Sequence, residues 1–185
     1  MMLEDLREMS VRCWALMGLA FCILMMAVAL GLEHLADLAP CSLCIFQRVA
    51  VLGAALVFAI AAIHNPEGRG GAFVYGSLGL LAAGSGVALA WRHLWLQSLP
   101  ADEVPSCGPP LDYMMEMLPL QQVISQVLTA SGECAVVSLR FLGLSLSGWT
   151  LVGFVVLALL PLGMLLRLIQ GRRSGYRWMN TPPAD

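Results

Sequence analysis

The sequence predicts an all-α membrane protein: a four-helix transmembrane bundle with a long extracytoplasmic loop carrying a short amphipathic helix. Hydrophobic residues make up 59% of the 185 residues and charged residues only 12%. The mean hydropathy of +0.80 agrees with lipid rather than water as the solvent of this fold. All ten basic residues are arginines and the net charge is -2, so no basic surface suggests a nucleic-acid partner.

Four apolar stretches are long enough to cross a hydrocarbon core of about 30 Å, which takes roughly 20 helical residues. The predicted spans are approximately 13–32, 43–63, 71–91 and 148–166. Extracytoplasmic loops at approximately 33–42 and 93–147 complete a single integral membrane domain over 1–185. Pro161 interrupts the fourth span, where a membrane helix tolerates it if neighbouring groups satisfy the freed carbonyl.

The placement of arginine predicts the orientation, because short cytoplasmic flanks carry the excess of basic residues. Both chain ends are therefore expected in the cytoplasm. A signal peptide is the alternative for the first span, since Ala27-Val28-Ala29 resembles a cleavage site. The preceding segment is not positive, which disfavours that alternative. The arginines that define the cytoplasmic side are Arg7, Arg12, Arg69, Arg167, Arg172, Arg173 and Arg177.

Two helix patterns bear on packing. Apolar residues recur at helical spacing between 120 and 128, which predicts a short amphipathic helix in the long loop. It could lie on the membrane surface or pack only on other protein. Small residues spaced by four and three along the third span predict close approach of neighbouring helices. These small residues are Ala72, Gly76, Gly79, Ala83, Gly86 and Ala90.

The central chemical signal is Cys41-Ser42-Leu43-Cys44, which follows Pro40 at the start of the second span. A helix start offers unpaired N–H groups and a dipole that favour a thiolate, the reactive form of cysteine. Arg48 lies four residues beyond Cys44 and so on the same face. A cation beside a candidate thiolate favours redox chemistry, although an arginine at this depth could also serve as an interfacial anchor.

Other readings of the cysteines stay open at this point. A c-type haem site is excluded because Ile45 stands where histidine is required. A zinc site built from Cys41, Cys44, Cys107 and Cys134 has an unusually long last spacing, and we predict no metal. A purely structural Cys41–Cys44 disulfide is a third reading. Cys107 and Cys134 form the natural second pair, either structural or exposed to an outside thiol; Cys13 and Cys22 are expected to pack in the membrane.

The order and spacing of these features resemble the DsbB family of bacterial inner-membrane disulfide oxidoreductases. The resemblance covers nearly the whole chain, and one departure is Gln47, where some members have an acidic residue. The matching segments are Pro40-Cys41-x-x-Cys44-Ile45-x-x-Arg48, the later Cys107, Ser131-Gly132-x-Cys134 and Phe141-Leu142-Gly143-Leu144.

The resemblance implies a relay of disulfide exchange in the bacterial inner membrane. A reduced periplasmic DsbA-type thiol oxidase would meet a Cys107–Cys134 disulfide, Cys134 would exchange with Cys41, and Cys44 would pass electrons to a bound ubiquinone or menaquinone. Arg48 would stabilise the Cys44 thiolate and the quinone oxygen, and His93 would lie near the quinone. For His93 the plainer alternative is an interfacial residue within an aromatic belt.

Two rival functions remain to be compared with this one. A membrane thiol enzyme of the vitamin K epoxide reductase type also couples cysteine pairs to quinones, but its quinone-proximal pair lies late in the chain. A non-catalytic four-helix membrane protein with structural disulfides would leave Arg48 unexplained.

Overall fold

The computed structural model describes residues 10–35, 40–66, 69–100, 102–105, 111–129, 132–135 and 140–179. Its long helices are α1 (Val11–Leu35), α2 (Ser42–His64), α3 (Arg69–Ser98) and α6 (Leu146–Met179). Val11–Leu35, Ser42–His64, Arg69–Ser98 and Leu146–Leu166 are each long and apolar enough to cross a membrane. The predicted all-α membrane class with four spans is therefore confirmed.

The four long helices pack as a closed ring. α1 contacts α2, α2 contacts α3, α3 contacts α6, and α6 returns to α1. The predicted small-residue stripe of α3 is buried along its whole length, and a β-carbon added at Gly86 would overlap the ring of Phe154. Small residues are therefore required for α3 to approach α6, because lipid gives helices no hydrophobic reason to associate and close packing must do so.

The buried stripe continues beyond the small residues to His93 and Leu96. The sequence had suggested that the long loop begins near residue 93. Since α3 runs to Ser98, the segment from His93 to Ser98 is helical instead. His93 follows Ala90 by three residues and faces the bundle for the same reason that Ala90 does.

Short elements cover one end of the bundle, which we call the loop end: the end where α1 stops, α2 begins, α3 stops and α6 begins. They are α4 (Leu111–Met117), α5 (Leu120–Thr129), a 3₁₀ helix (Gly132–Ala135), and the two-residue strands β1 (Arg140–Phe141) and β2 (Leu144–Ser145). The strands pair antiparallel. The sequence analysis predicted neither this ribbon nor α4.

The amphipathic helix forms as α5, with its two edges in different surroundings. Val123 and Val127 are buried in a cluster with Leu43 and Leu96. Ile124 and Leu128 on the other edge are 38% and 39% exposed. Packing on protein therefore accounts for one edge, and the exposed apolar edge suits a membrane surface.

Candidate redox site at the loop end of the bundle

The Cys41–Cys44 pair occupies the start of α2. Cys41 is the N-cap residue, with extended backbone angles and no hydrogen bond from its side chain to the helix. Its carbonyl accepts the N–H of Ile45 at 3.1 Å, so the side chain is left free to face the site. The two sulfur atoms are 2.7 Å apart. Pro40 precedes the cap and so lies outside α2, although the sequence had indicated Pro40 as the start of this span.

Cys134 lies against this helix start from the 3₁₀ helix and is 1% exposed. Its sulfur is 3.9 Å from the hydroxyl oxygen of Ser42. A hydrogen bond from the Cys41 thiol, followed by the backbone N–H of Leu43 and the Ser42 hydroxyl, lowers the pKa of Cys134 despite its burial. The same contact, with a second one to Cys44 and with burial, raises the pKa of Cys41. The donors of the helix start thus stabilise a thiolate on Cys134, a residue that is distant in sequence.

The three remaining cysteines lie in different surroundings, and Cys13 is half-buried near the start of α1. Cys22 is 1% exposed and lies in the main core, as expected of an apolar packing residue. Cys107 lies outside the described residues, so its pairing with Cys134 stays a prediction.

A cavity of about 540 Å³ opens from the cysteine pair toward the middle of the bundle. Its walls are largely apolar, with Phe154 among them, and its polar groups gather around the sulfur atoms. A cavity of this size with few polar groups is typical of a site for a small organic molecule. The polar or sulfur-bearing residues at the cysteine end are Cys41, Cys44, Gln47, Arg48, His93, Gln97, Cys134 and Ser147.

Arg48 lines the cavity and is held by α1. It donates to the carboxylate of Glu33 at 2.5 Å and to the carbonyl of Ala29 at 3.4 Å. Both side chains of the ion pair are largely buried, at 22% and 27% exposure. The sequence analysis assigned Glu33 to the loop and missed this partner; α1 extends to Leu35, which places Glu33 in the last turn of the helix.

Two buried nitrogen atoms of the cavity wall lack a hydrogen bond to any residue that the structure describes: Gln47 Nε2 and His93 Nδ1. The side chains are only 5% and 6% exposed. The backbone of Cys134 lies near the imidazole without giving Nδ1 a hydrogen bond of normal geometry. A buried polar group left unpaired costs about 1–3 kcal/mol, so these atoms indicate a ligand that brings oxygen acceptors.

His93 also lies beside the cysteine pair. The ligand atoms of Cys41, Cys44 and His93 are all within 4.8 Å of one another. Thiolates and imidazole at such spacing are compatible with zinc as well. The sequence analysis predicted no resident metal, and that stays a prediction.

A model of the family described as "Disulfide bond formation protein DsbB" matches residues 11–164, which include α1, α2, α3 and the site. The chain belongs to the DsbB family. The family resemblance drawn from the cysteine spacing is thereby confirmed. Membership of the DsbB family, together with four apolar helices, makes this chain a multi-pass protein of the inner membrane and implies a disulfide oxidoreductase.

Relatives within the DsbB family match most of the chain. The sequence is 56% identical over 172 residues to the Disulfide bond formation protein B of Chromohalobacter salexigens, covering 93% of this chain and 100% of that protein. It is 51% identical over 166 residues to the protein of the same name from Marinobacter nauticus, covering 89% and 96%. The relative from Hahella chejuensis is 53% identical over 131 residues, covering 71% and 79%.

Proposed function

We propose that this chain is a disulfide-generating enzyme that reoxidises a periplasmic DsbA-type thiol oxidase and passes the electrons to a membrane quinone, ubiquinone or menaquinone. The observation that carries the proposal is the position of the Cys41–Cys44 pair. Cys134 lies against this pair, and a largely apolar cavity lined by all three cysteines extends from them between the helices. The whole chain acts as one membrane domain, with the loop end in the periplasm and both termini in the cytoplasm by arginine placement.

The first exchange transfers two electrons from the partner to the chain. A thiolate of the reduced partner attacks Cys107 of a Cys107–Cys134 disulfide, forming a mixed disulfide and releasing Cys134 as a thiolate. The partner's second thiol then displaces Cys107 and leaves the partner oxidised. The chain now carries thiols at Cys107 and Cys134, and exchange of this kind needs an accessible disulfide and a thiolate.

The second exchange moves the electrons inward. Cys134 attacks the sulfur of Cys41, the Cys41–Cys44 bond breaks, and Cys44 leaves as a thiolate. Cys107 then attacks Cys134, which restores the Cys107–Cys134 disulfide and frees Cys41. The lowered pKa of Cys134 supports its role as the attacking group, since the thiolate is the nucleophile.

The third step returns Cys41 and Cys44 to a disulfide, with loss of two electrons and two protons. A quinone supplies a two-electron, two-proton acceptor that is soluble in the bilayer. The cavity fits such a molecule, because its apolar walls suit a ring and tail and its two unpaired nitrogens, Gln47 Nε2 and His93 Nδ1, suit carbonyl oxygens. Those two residues and Arg48 would hold the head group.

Arg48 supplies positive charge next to Cys44. A fixed cation lowers the free energy of a thiolate and of negative charge developing on an oxygen. Glu33 holds the guanidinium at the cavity wall, so the charge is already oriented before the dithiol forms.

The test uses the purified chain in detergent with a reduced DsbA-type partner and ubiquinone, followed by quinone absorbance. Wild type and the matched variant Cys13→Ser, which alters a cysteine outside the site, should both consume the quinone chromophore. Cys44→Ser should not. Full quinone reduction by Cys44→Ser, or none by folded wild type, would contradict the proposal.

A further inference from the structure

A chain of hydrogen bonds runs from the start of α6 to the imidazole of His93. The backbone N–H of Gly148 donates to Ser145 Oγ at 3.3 Å, and Ser145 Oγ lies 2.8 Å from Ser147 Oγ. The Ser147 hydroxyl donates to Gln97 Oε1 at 2.5 Å. Gln97 Nε2 in turn lies 3.5 Å from His93 Nε2.

The orientation of the Gln97 amide, with Oε1 toward Ser147 and Nε2 toward His93, gives this chain a direction. A backbone N–H can only donate, so the Ser145 oxygen accepts from Gly148 and its own proton is available for Ser147. Ser147 has one hydroxyl proton and gives it to the amide oxygen of Gln97. The amide nitrogen of Gln97 faces His93 Nε2 and can only donate, so Nε2 accepts this hydrogen bond and carries no proton.

This direction leaves the imidazole proton on Nδ1. That atom is buried and makes no hydrogen bond within the described part of the chain. The side chain lines the cavity beside the cysteine pair. His93 thus presents an N–H donor, and the complementary group is an oxygen that can only accept, such as the carbonyl of a quinone.

We propose that Gln97, Ser147 and Ser145 are positioning residues, whose hydrogen bonds fix His93 in the Nδ1–H tautomer so that it donates to a carbonyl oxygen in the cavity. The identity of the acceptor rests on the proposed function. The tautomer rests only on contacts among the chain's own residues. The neighbouring group on a histidine ring sets which nitrogen carries the proton, so removing a distant hydroxyl changes what the ring offers to a ligand.

The decisive measurement is ¹⁵N NMR of the histidine-labelled, quinone-free protein in detergent, with the His93 signals assigned by their loss in His93→Gln. Wild type should show a protonated Nδ1 and an unprotonated Nε2. Ser147→Ala frees the amide of Gln97 to turn over, and a population with Nε2–H should appear. Gln97→Glu places an acceptor against Nε2 and should give mainly Nε2–H.

Two controls separate positioning from general damage. Ser147→Thr keeps the hydroxyl and should retain the wild-type tautomer. Ser98→Ala removes a hydroxyl that donates only to the carbonyl of Trp95, one residue from Gln97, and should change nothing. A wild-type imidazole protonated on Nε2, or a Ser147→Ala spectrum identical to wild type, would overturn the proposal.

Steady-state kinetics test the acceptor. Ser147→Ala should raise the KM for quinone about threefold to tenfold, the effect of one neutral hydrogen bond, while the KM for the thiol partner stays unchanged. A tautomer shift without any change in the quinone KM would overturn the assignment of quinone as the acceptor. Absence of quinone reduction in wild type would instead refute the proposed function and leave the NMR result standing.

Discussion

The middle of the bundle and its loop end are built from the same four helices but differ in packing and in polarity. In the middle, Ala and Gly of α3 meet Phe58 and Phe154, and apolar side chains fill the space. At the loop end a cavity remains, and Gln47 and His93 each keep a buried nitrogen unpaired. The difference indicates that packing fixes the helices, whereas the loop end keeps unpaired polar groups that are costly in a membrane unless they serve a ligand.

The largest expected effect is a loss of stability on placing a larger side chain between α3 and α6. Gly86→Val places branched carbon where the ring of Phe154 already lies, and we expect a loss of about 3 kcal/mol, the upper end for overpacking. Gly84→Val is the matched control on the same helix, because no atom lies within 4 Å of its added β-carbon. Thermal unfolding in detergent should separate them; equal midpoints would mean that close packing does not hold α3 to α6.

Removal of the Arg48 cation should lower quinone reduction at the loop end without reducing the stability of the packed middle of the bundle. Arg48→Gln is expected to lower kcat/KM for quinone about tenfold to a hundredfold, since hydrogen bonds to charged groups contribute about 1.5–3 kcal/mol. Arg92→Gln is the control, as Arg92 lies over the ring of Trp95 rather than in the cavity. Similar losses in both variants would argue for a general electrostatic effect instead of a site at Arg48.

Substitution of Gln47 tests the contrast between the packed middle and the loop end most directly, because it should preserve or raise stability while it weakens quinone binding. Gln47→Leu removes a buried unpaired donor, so the quinone-free protein should unfold at an equal or higher temperature. The KM for quinone should rise about fivefold through the lost hydrogen bond. Gln122→Leu, at an exposed position of α5, should leave the quinone KM unchanged; a destabilised Gln47→Leu protein would show that the amide has a structural role.

The smallest effect is expected from Ser42, through the pKa of Cys134. That pKa is lowered from 9.0 by the Cys41 thiol first, with Ser42 contributing after the backbone of Leu43. Ser42→Ala should move it back toward 9.0, reducing the thiolate fraction and the first-turnover exchange rate at neutral pH by about twofold. Above both pKa values the rates should converge. Ser42→Thr, which keeps the hydroxyl, should match wild type; a deficit that persists at high pH would exclude the titration of Cys134 as its cause.

Local pattern was sufficient for the features that depend on residues near in sequence. The presence of four spans, the stripe of α3 and the amphipathic α5 all follow from hydropathy and spacing. The position of His93 was also available in principle, because it continues the Ala90 face by three residues. The predicted loop boundary near Trp91 hid this, since hydropathy falls before the helix ends.

The missed features are those made by contacts across the bundle. No local signal pairs Glu33 with Arg48 or Gln97 with Ser147, because each pair joins two different helices and depends on how those helices pack. The thiolate at the start of α2 is similar. The family resemblance implied that Cys134 meets Cys41, and the helix start indicated that a thiolate would be stabilised there, but neither indicated that this thiolate would be that of Cys134.

The N-cap position of Cys41 has a kinetic consequence. Its carbonyl, and not its side chain, joins the hydrogen-bonding pattern of α2. In the proposed exchange, the sulfur would change its partner from Cys44 to Cys134 by rotation about its own side-chain bond, while the backbone hydrogen bonds of the helix stay in place. The proposed change of covalent partner would then require almost no reorganisation of secondary structure, and successive turnovers would use the same backbone.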